Sequence, residues 1–238
     1  MGGGILITGT DTGVGKTVVT ASLAALLRDV GYRVGVMKPV ETGCEQRDGK
    51  LIPEDAVRLK DASRSADPIE KICPYRLSEP LAPSIAAERA GVRIDIDHLL
   101  AVYDEISGKH EMTLVEGAGG LMVPLLPSYT YADFAGVLHL PVIVVAANQL
   151  GAINHLLLTL EHASCKGLSV LGYVLNRISN ESSLAAETNR EVLSGLTGVH
   201  CLGELPFIET AQAAETFPLD VFEAEFDLRT IVTILLRQ

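Results

Sequence analysis

The segment Gly9-Thr-Asp-Thr-Gly-Val-Gly15-Lys16-Thr17 constrains this chain more than any other. It stands directly after a short apolar run at residues 5–8 and opens a stretch, 16–30, with apolar residues at helical spacing. Strand, glycine-rich turn and helix in that order make a cradle for an anion. Glycines let backbone N–H groups turn inward on phosphate oxygens, and the helix N-terminus adds positive potential. In such a loop Lys16 reaches the β- and γ-phosphates of a nucleotide, and the Thr17 hydroxyl ligates Mg2+. The pattern G-x-x-x-x-G-K-[ST] is met except at its first glycine, where Thr10 stands and Gly9 lies one residue early. The plain alternative, a glycine-rich turn with a surface lysine, leaves the strand, the helix and the intact Gly-Lys-Thr unexplained.

The rest of the chain repeats that alternation. Strand-length apolar runs occur at residues 33–37, 112–115, 142–147, 169–175 and 199–202, continuous rather than alternating, as in strands covered on both faces. Helical spacing recurs at 95–107, 153–164 and 182–196, with weaker patterns at 54–62 and 228–236. Gly31, Gly108 and Gly167 each stand where a helix is expected to stop. This order predicts a mostly parallel central sheet with helices on both faces, the three-layer α/β sandwich of P-loop NTPases, spanning residues 1–238 as one domain. In an open α/β sheet ligands bind beyond the carboxyl ends of the strands. The irregular stretches 39–53 and 117–131 both follow strands, so the chemistry is expected there.

Composition narrows the partners. The chain is 47% hydrophobic with a net charge of −11, which excludes a disordered chain and disfavours nucleic acid, whose backbone is held by neutralising Lys and Arg. No apolar run approaches the roughly 18 residues of a membrane helix. The N-terminus lacks a secretory pattern, and Leu6 stands where a myristoylation signal needs Ser or Thr. Cys44, Cys73, Cys165 and Cys201 form no C-x-x-C pair, which suits reduced thiols in the cytoplasm. The six histidines show neither ligand spacing nor a triad.

A phosphate loop needs an acid at the end of a neighbouring strand to hold Mg2+. Glu116 answers that need in Met112-Thr-Leu-Val-Glu116-Gly-Ala-Gly-Gly120, although a lone strand-terminal acid is usually only a turn residue. Lys38, at the end of the run 33–37, is placed to aim a second ammonium at a transferring phosphoryl group. Its alternative is an edge lysine reaching for water. Thr42 and Gly43 continue that loop with a hydroxyl and a backbone N–H. Asp55 opens a helix, where an acid is most often a dipole partner. Asn176 ends a strand, as a reader of a base edge or as a turn residue.

Taken together, these pieces resemble the dethiobiotin synthetases. The likeness covers residues 9–208 and rests on GTDTGVGKT, KPV with Thr42-Gly43, Asp55, Pro74-Tyr75, Glu79-Pro80, VEGAGG, the Leu150-Gly-Ala-Ile-Asn154-His155 segment, Asn176 and Gly203-Glu-Leu-Pro206. The resemblance implies a cytoplasmic Mg2+- and ATP-dependent enzyme that acts on 7,8-diaminononanoate and CO2. A carbamate forms on one amine, ATP phosphorylates it, and the second amine closes a cyclic urea, releasing ADP and phosphate. It implies nucleotide contacts at Gly13, Val14, Gly15, Lys16, Thr17 and Val18, and at Gly117, Ala118 and Gly119. It places Asn176, Arg177, Pro206, Phe207 and Ile208 around the adenine. Thr17, Asp55 and Glu116 would hold Mg2+, Lys16 and Lys38 would neutralise charge, and Thr12 and Thr42 would hold the carbamate or diamine end. The family is homodimeric, and the helix N-terminus with Gly151 and Asn154 is the part that receives the substrate carboxylate across the interface.

Three positions depart from that pattern: Gly13 where Glu is common, Leu121 where an aromatic often follows VEGAGG, and Thr188 in a region where some members carry a tyrosine. Two rivals are weighed against it. Partitioning ATPases carry a second lysine early in the loop, K-G-G-x-G-K-T, but Asp11 stands there. Amidotransferase-linked relatives need a glutaminase domain, for which this chain has no room.

Overall fold

The computed structural model describes residues 3–181 and 183–208, together with residues 222, 224, 226 and 233. The chain begins with β1 (Gly3–Gly9), α1 (Lys16–Asp29), β2 (Val34–Met37), β3 (Val40–Thr42) and the hairpin β4 (Glu45–Arg47) and β5 (Lys50–Ile52). There follow α2 (Glu54–Ser63), α3 (Ile69–Ile72), β6 (Tyr75–Leu77), α4 (Pro83–Arg89) and α5 (Ile96–Ser107). Next come β7 (Met112–Gly120), β8 (Pro124–Leu126), β9 (Tyr129–Thr130), α6 (Tyr131–Val137) and β10 (Val142–Ala147). The last described elements are α7 (Ala152–Cys165), β11 (Val170–Asn176), α8 (Leu184–Leu196) and β12 (Cys201–Leu205).

Six strands form one parallel sheet in the order β12-β11-β10-β1-β7-β2. The predicted α/β sandwich is therefore observed. Its strands alternate between two cores, since successive side chains leave a strand on opposite faces. Ile5 and Ile7 of β1 join the core under α1 and α2, whereas Leu6 joins the one under α5, α6 and α7. Along β10, Ile143 and Val145 face the first and Val142 and Val144 the second. Each such buried aliphatic side chain contributes about 1.5–3 kcal/mol, which is why these runs carry no polar face. β1 lies at the middle of the sheet, where successive strands are added on opposite sides. That switch point sets the phosphate loop at the ligand-binding edge.

Several boundaries differ from expectation. The run 112–115 extends as β7 to Gly120, because pairing with β1 resumes at Gly9–Gly120 after a bulge that left-handed Gly119 (φ 66°) accommodates. Glu116 is accordingly inside a strand rather than at its end. The stretches expected to be irregular contain β3, β4 and β5, and β8 and β9, while α3, α4, α6 and β6 are too short for a periodicity to register. The expected strand 199–202 lies later, as Cys201–Leu205. Gly31 and Gly167 take the left-handed conformation (φ 103° and 68°), but Gly108 caps α5 in the right-handed region at φ −67°. The expected helix 228–236 lies, but for Thr233, outside the described residues.

Candidate active site

The phosphate loop is shaped from below and from the side. Gly13 (φ 76°) and Gly15 (φ 94°) are left-handed, and Gly15 caps α1 with no side-chain bond, so the first N–H groups of α1 stay available to a ligand. The Lys16 ammonium arcs back to the Asp11 carbonyl at 2.9 Å. A Cβ on Gly9 would stand 2.8 Å from that carbonyl oxygen and 3.1 Å from Lys16 Nζ, which accounts for the displaced glycine. From β11, Asn176 Nδ2 donates to the Val14 carbonyl at 2.9 Å, and a Cβ on Gly15 would come within 2.1 Å of it. Asn176 thus buttresses the loop.

Beside the loop stands a closed circle of charge. Lys38 leaves the end of β2 with its N–H bonded to the Ile72 carbonyl, and its ammonium meets Asp55 Oδ2 at 2.9 Å and Glu116 Oε1 at 2.5 Å. The Thr17 hydroxyl donates to the same Glu116 oxygen at 2.9 Å. Glu116 is 0% and Lys38 3% exposed. Burial alone would lower the Lys38 pKa, but Glu116 and Asp55 outweigh it and hold the ammonium well above the ordinary lysine value. Burial would likewise raise Asp55; Lys38 outweighs it and keeps the carboxyl low. Lys16 goes the other way, pushed down to about 8 by burial and then by the Lys38 charge. Two cations of different strength face the same space.

That space is a cleft of about 770 Å3. Thr12, Gly13, Gly15, Lys16, Thr17 and Val18 line it from the loop, and Lys38, Thr42, Asp55, Glu116, Ala118 and Gly119 from the neighbouring strands and α2. Glu41, Arg58, Val123 and residues 80–83 also line it, and of these only the Glu79-Pro80 pair had any signal in the sequence. Glu41 is found only through the fold: its carboxylate accepts the Asp55 and Ala56 N–H groups at 2.9 and 3.0 Å. Burial, and then the Asp55 charge, push its pKa up to about 7. Arg58 is one helical turn beyond Asp55, the only hint of its position.

The residues fit Mg2+. Glu116 Oε2 is buried without a hydrogen-bond partner among the described residues, while the Thr17 hydroxyl bonds its other oxygen and also interacts with Asp55. An unpartnered buried oxygen costs about 1–3 kcal/mol, so it favours a cation. Two carboxylates and a hydroxyl would supply hard oxygen ligands of the kind Mg2+ prefers.

Comparison with known proteins agrees with this geometry. The family described as AAA domain matches residues 3–215. The ATP-dependent dethiobiotin synthetase BioD of Thermodesulfovibrio yellowstonii is 41% identical over 216 residues, covering 87% of this chain and 90% of that protein. The BioD of Bacillus cereus strain G9842 is 42% identical over 207 residues, covering 87% and 84%. The chain belongs to the dethiobiotin synthetase family. Among solved structures, the septum site-determining protein MinD with Mg-ADP from Pyrococcus horikoshii OT3 aligns at a TM-score of 0.56 and 17% identity, covering 92% of this chain and 93% of that one. A ParA family ATPase from Chlorobium tepidum TLS aligns at 0.55 and 15%, each chain covered in full. These two share the fold alone.

Other residues that the dethiobiotin synthetase pattern singles out lie outside the cleft. Val14 and Gly117 are buried and do not line it. The Arg177 N–H bonds the Leu205 carbonyl at 3.0 Å, and Pro206, Phe207 and Ile208 follow β12 beside it. Gly151 (φ 96°) caps α7 with Asn154 exposed in its first turn. Between these groups runs a seam of amides that sequence reasoning missed. Asn148 Nδ2 donates to Glu204 Oε1 (2.9 Å) and the Ala186 carbonyl (3.1 Å), and Asn189 Nδ2 donates to Asn148 Oδ1 (2.9 Å) and the Gln149 carbonyl (3.0 Å). Of the departures, Gly13 is left-handed, which favours glycine; Leu121 is buried in the core; and Thr188 is exposed, bonding the Leu184 carbonyl of its own helix.

Proposed function

We propose that this chain is an ATP-dependent cyclo-ligase that converts 7,8-diaminononanoate and CO2 to dethiobiotin, giving ADP and phosphate, in biotin biosynthesis. The observation that carries the reading is the buried Lys38, held between Asp55 and Glu116 beside a phosphate loop, in a member of the dethiobiotin synthetase family. One amine adds to CO2 and loses a proton, leaving a carbamate. A carbamate oxygen attacks the γ-phosphorus and ADP departs. The second amine then attacks the carbamoyl carbon of the mixed anhydride, and phosphate leaves with its former oxygen.

The protein's part in this sequence is placement and charge. The loop N–H groups from Gly13 to Val18 hold the β- and γ-phosphates, and Lys16 and Lys38 neutralise the charge carried by the transferring group. Thr17, Asp55 and Glu116 hold Mg2+, which screens the phosphate oxygens. Thr12 and Thr42 present hydroxyls to the carbamate and diamine end, with Ala118 and Gly119 as a close-fitting wall. Asn176, Arg177 and Pro206 to Ile208 border the base, with Asn176 also bracing the loop.

In this reading the enzyme acts as a homodimer. Gly151 and Asn154 are exposed at an α-helix N-terminus, which suits a carboxylate reaching over from the partner's cleft. Leu150, 86% exposed, and Leu158 flank them as apolar surface for such a contact. The four free cysteines support a reducing, cytoplasmic setting.

The test is direct: purified protein is incubated with Mg-ATP, bicarbonate and 7,8-diaminononanoate, with phosphate release and dethiobiotin followed together, the latter by mass spectrometry. Product is expected only with all components, and not from folded Lys16→Ala or Lys38→Ala proteins. ATP hydrolysis that ignores the diamine and yields no cyclic urea would overturn the reading.

A further inference from the structure

α2 has an unusual start. Its N-cap is Pro53, which offers no side-chain acceptor, so the first N–H groups of the helix lack local partners. Position N3, from which a capping acid would turn back, is Ala56, and Asp55 before it points into the cleft and binds Lys38. The missing acceptor comes from another element. Glu41, the middle residue of β3, places Oε1 on the Asp55 N–H and Oε2 on the Ala56 N–H, at 2.9 and 3.0 Å. It is 6% exposed and lines the cleft between Lys38 and Thr42.

We propose that Glu41 is a positioning residue, whose two-oxygen grip on the first turn of α2 aims the Asp55 carboxylate at the metal and phosphate end of the cleft. This rests on the reading of Asp55 as a Mg2+ ligand. Two features argue against a cap that serves only helix stability. A neutral Ser or Thr at the N-cap would satisfy these N–H groups without setting a second acid beside Asp55. A bond to the N–H of Asp55 itself also fixes that residue's backbone, and with it the direction in which its side chain leaves the helix. β3 joins the Lys38 and Thr42 loop to β6, so the grip ties the substrate-side loop to the metal-side helix. Outer-shell partners of this kind change metal affinity about 10–100-fold when removed.

The test uses the full-length protein and Mn2+ as the probe, titrated by electron paramagnetic resonance into the ADP complex, with melting temperatures alongside. Glu41→Gln keeps the shape but replaces one acceptor with an amide donor facing an N–H. It is expected to weaken Mn2+ binding by about tenfold, to leave metal-free ADP binding unchanged, and to have no further effect in an Asp55→Asn background. Glu41→Asp, which shortens the reach but keeps both acceptors, is expected to fall between. A lowered melting temperature with Mn2+ affinity within twofold of the parent would overturn the proposal and leave Glu41 a structural cap. An undiminished Glu41→Gln effect in the Asp55→Asn background would also overturn it, since the influence would not pass through Asp55. Loss of the Asp55 reading itself is recognised separately, by an Asp55→Asn protein that binds Mn2+ as the parent does.

Discussion

The two halves of the ligand-binding edge are held together by opposite chemistry. Around β1, β2 and β7 the polar side chains are mostly charged and bound to one another: buried Lys38 and Glu116 with the more open Thr17 and Asp55. At the ends of β10 and β11 the seam is mostly neutral, with the amides of Asn148, Asn176 and Asn189 bonded to carbonyls, to each other and to Glu204. The charged half can exchange internal partners for a metal and a polyphosphate. Among the described residues the amide half has a single ion pair, Glu204 with Arg177 at 3.7 Å, and its amides act as scaffold. In the proposed reaction, charge is concentrated where bonds are made and broken, and amide hydrogen bonds fix the surfaces around it.

The largest effect should come from breaking the charged half. Lys38→Met is expected to lower kcat on the order of a thousandfold and, by leaving buried carboxylates without their cation, to cost about 3–5 kcal/mol. Calorimetry on Lys38→Met/Glu116→Gln sharpens the point: stability should largely return while turnover does not. If stability does not return, pairing is not what holds this centre.

Next in size is the place where the halves meet. Gly15→Ala puts a Cβ 2.1 Å from Asn176 Nδ2 on a left-handed backbone, and the KM for ATP should rise by at least about tenfold, consistent with a strained loop. Adding Asn176→Ala should relieve only the contact and recover part of that loss. On the neutral side, Asn154→Asp adds a negative charge at the α7 N-terminus. It should raise the KM for the diamine about tenfold and leave that for ATP alone, because like charges repel across a contact. A change confined to ATP would break the division of labour.

Smaller still, Asn148→Ala should cost about 1–3 kcal/mol through the polar groups it leaves unpaired, with kcat nearly unchanged. The smallest effect lies outside both regions. Asp133 completes the capping box of α6 and binds Lys166, which with its Thr130 bonds brings its pKa down to about 2 against burial. A folded value below the unfolded one gives stability that is present above about pH 4 and lost as pH falls toward 2. The melting-temperature gap between the parent and Asp133→Asn should therefore be widest near neutral pH and shrink below pH 4.

Local signals explain what could be read in advance. The phosphate loop is contiguous, with its strand and helix in the same short segment, and the apolar runs reveal strands because both faces are buried. Glu41 left no mark because its partners are backbone N–H groups on another element, and backbone donors have no letter in a sequence. The Asn148–Asn189 pair joins the end of β10 to the middle of α8, so neither residue looks unusual alone. Glu116 was legible as an acid beside glycines, but its position inside β7 depended on Gly120 pairing with Gly9, a contact visible only once the sheet is built.

The central position of β1 has a consequence for synthesis. It precedes both of its neighbours, β7 and β10, which are made more than a hundred residues later. At the usual pace of translation, that interval is on the order of ten seconds. Throughout it, the nascent chain carries an apolar strand and a glycine loop with nothing on either side. Completion of the sheet is a late, long-range event of the slow-folding kind. The nucleotide cradle is thus translated well before the strands that give it its shape.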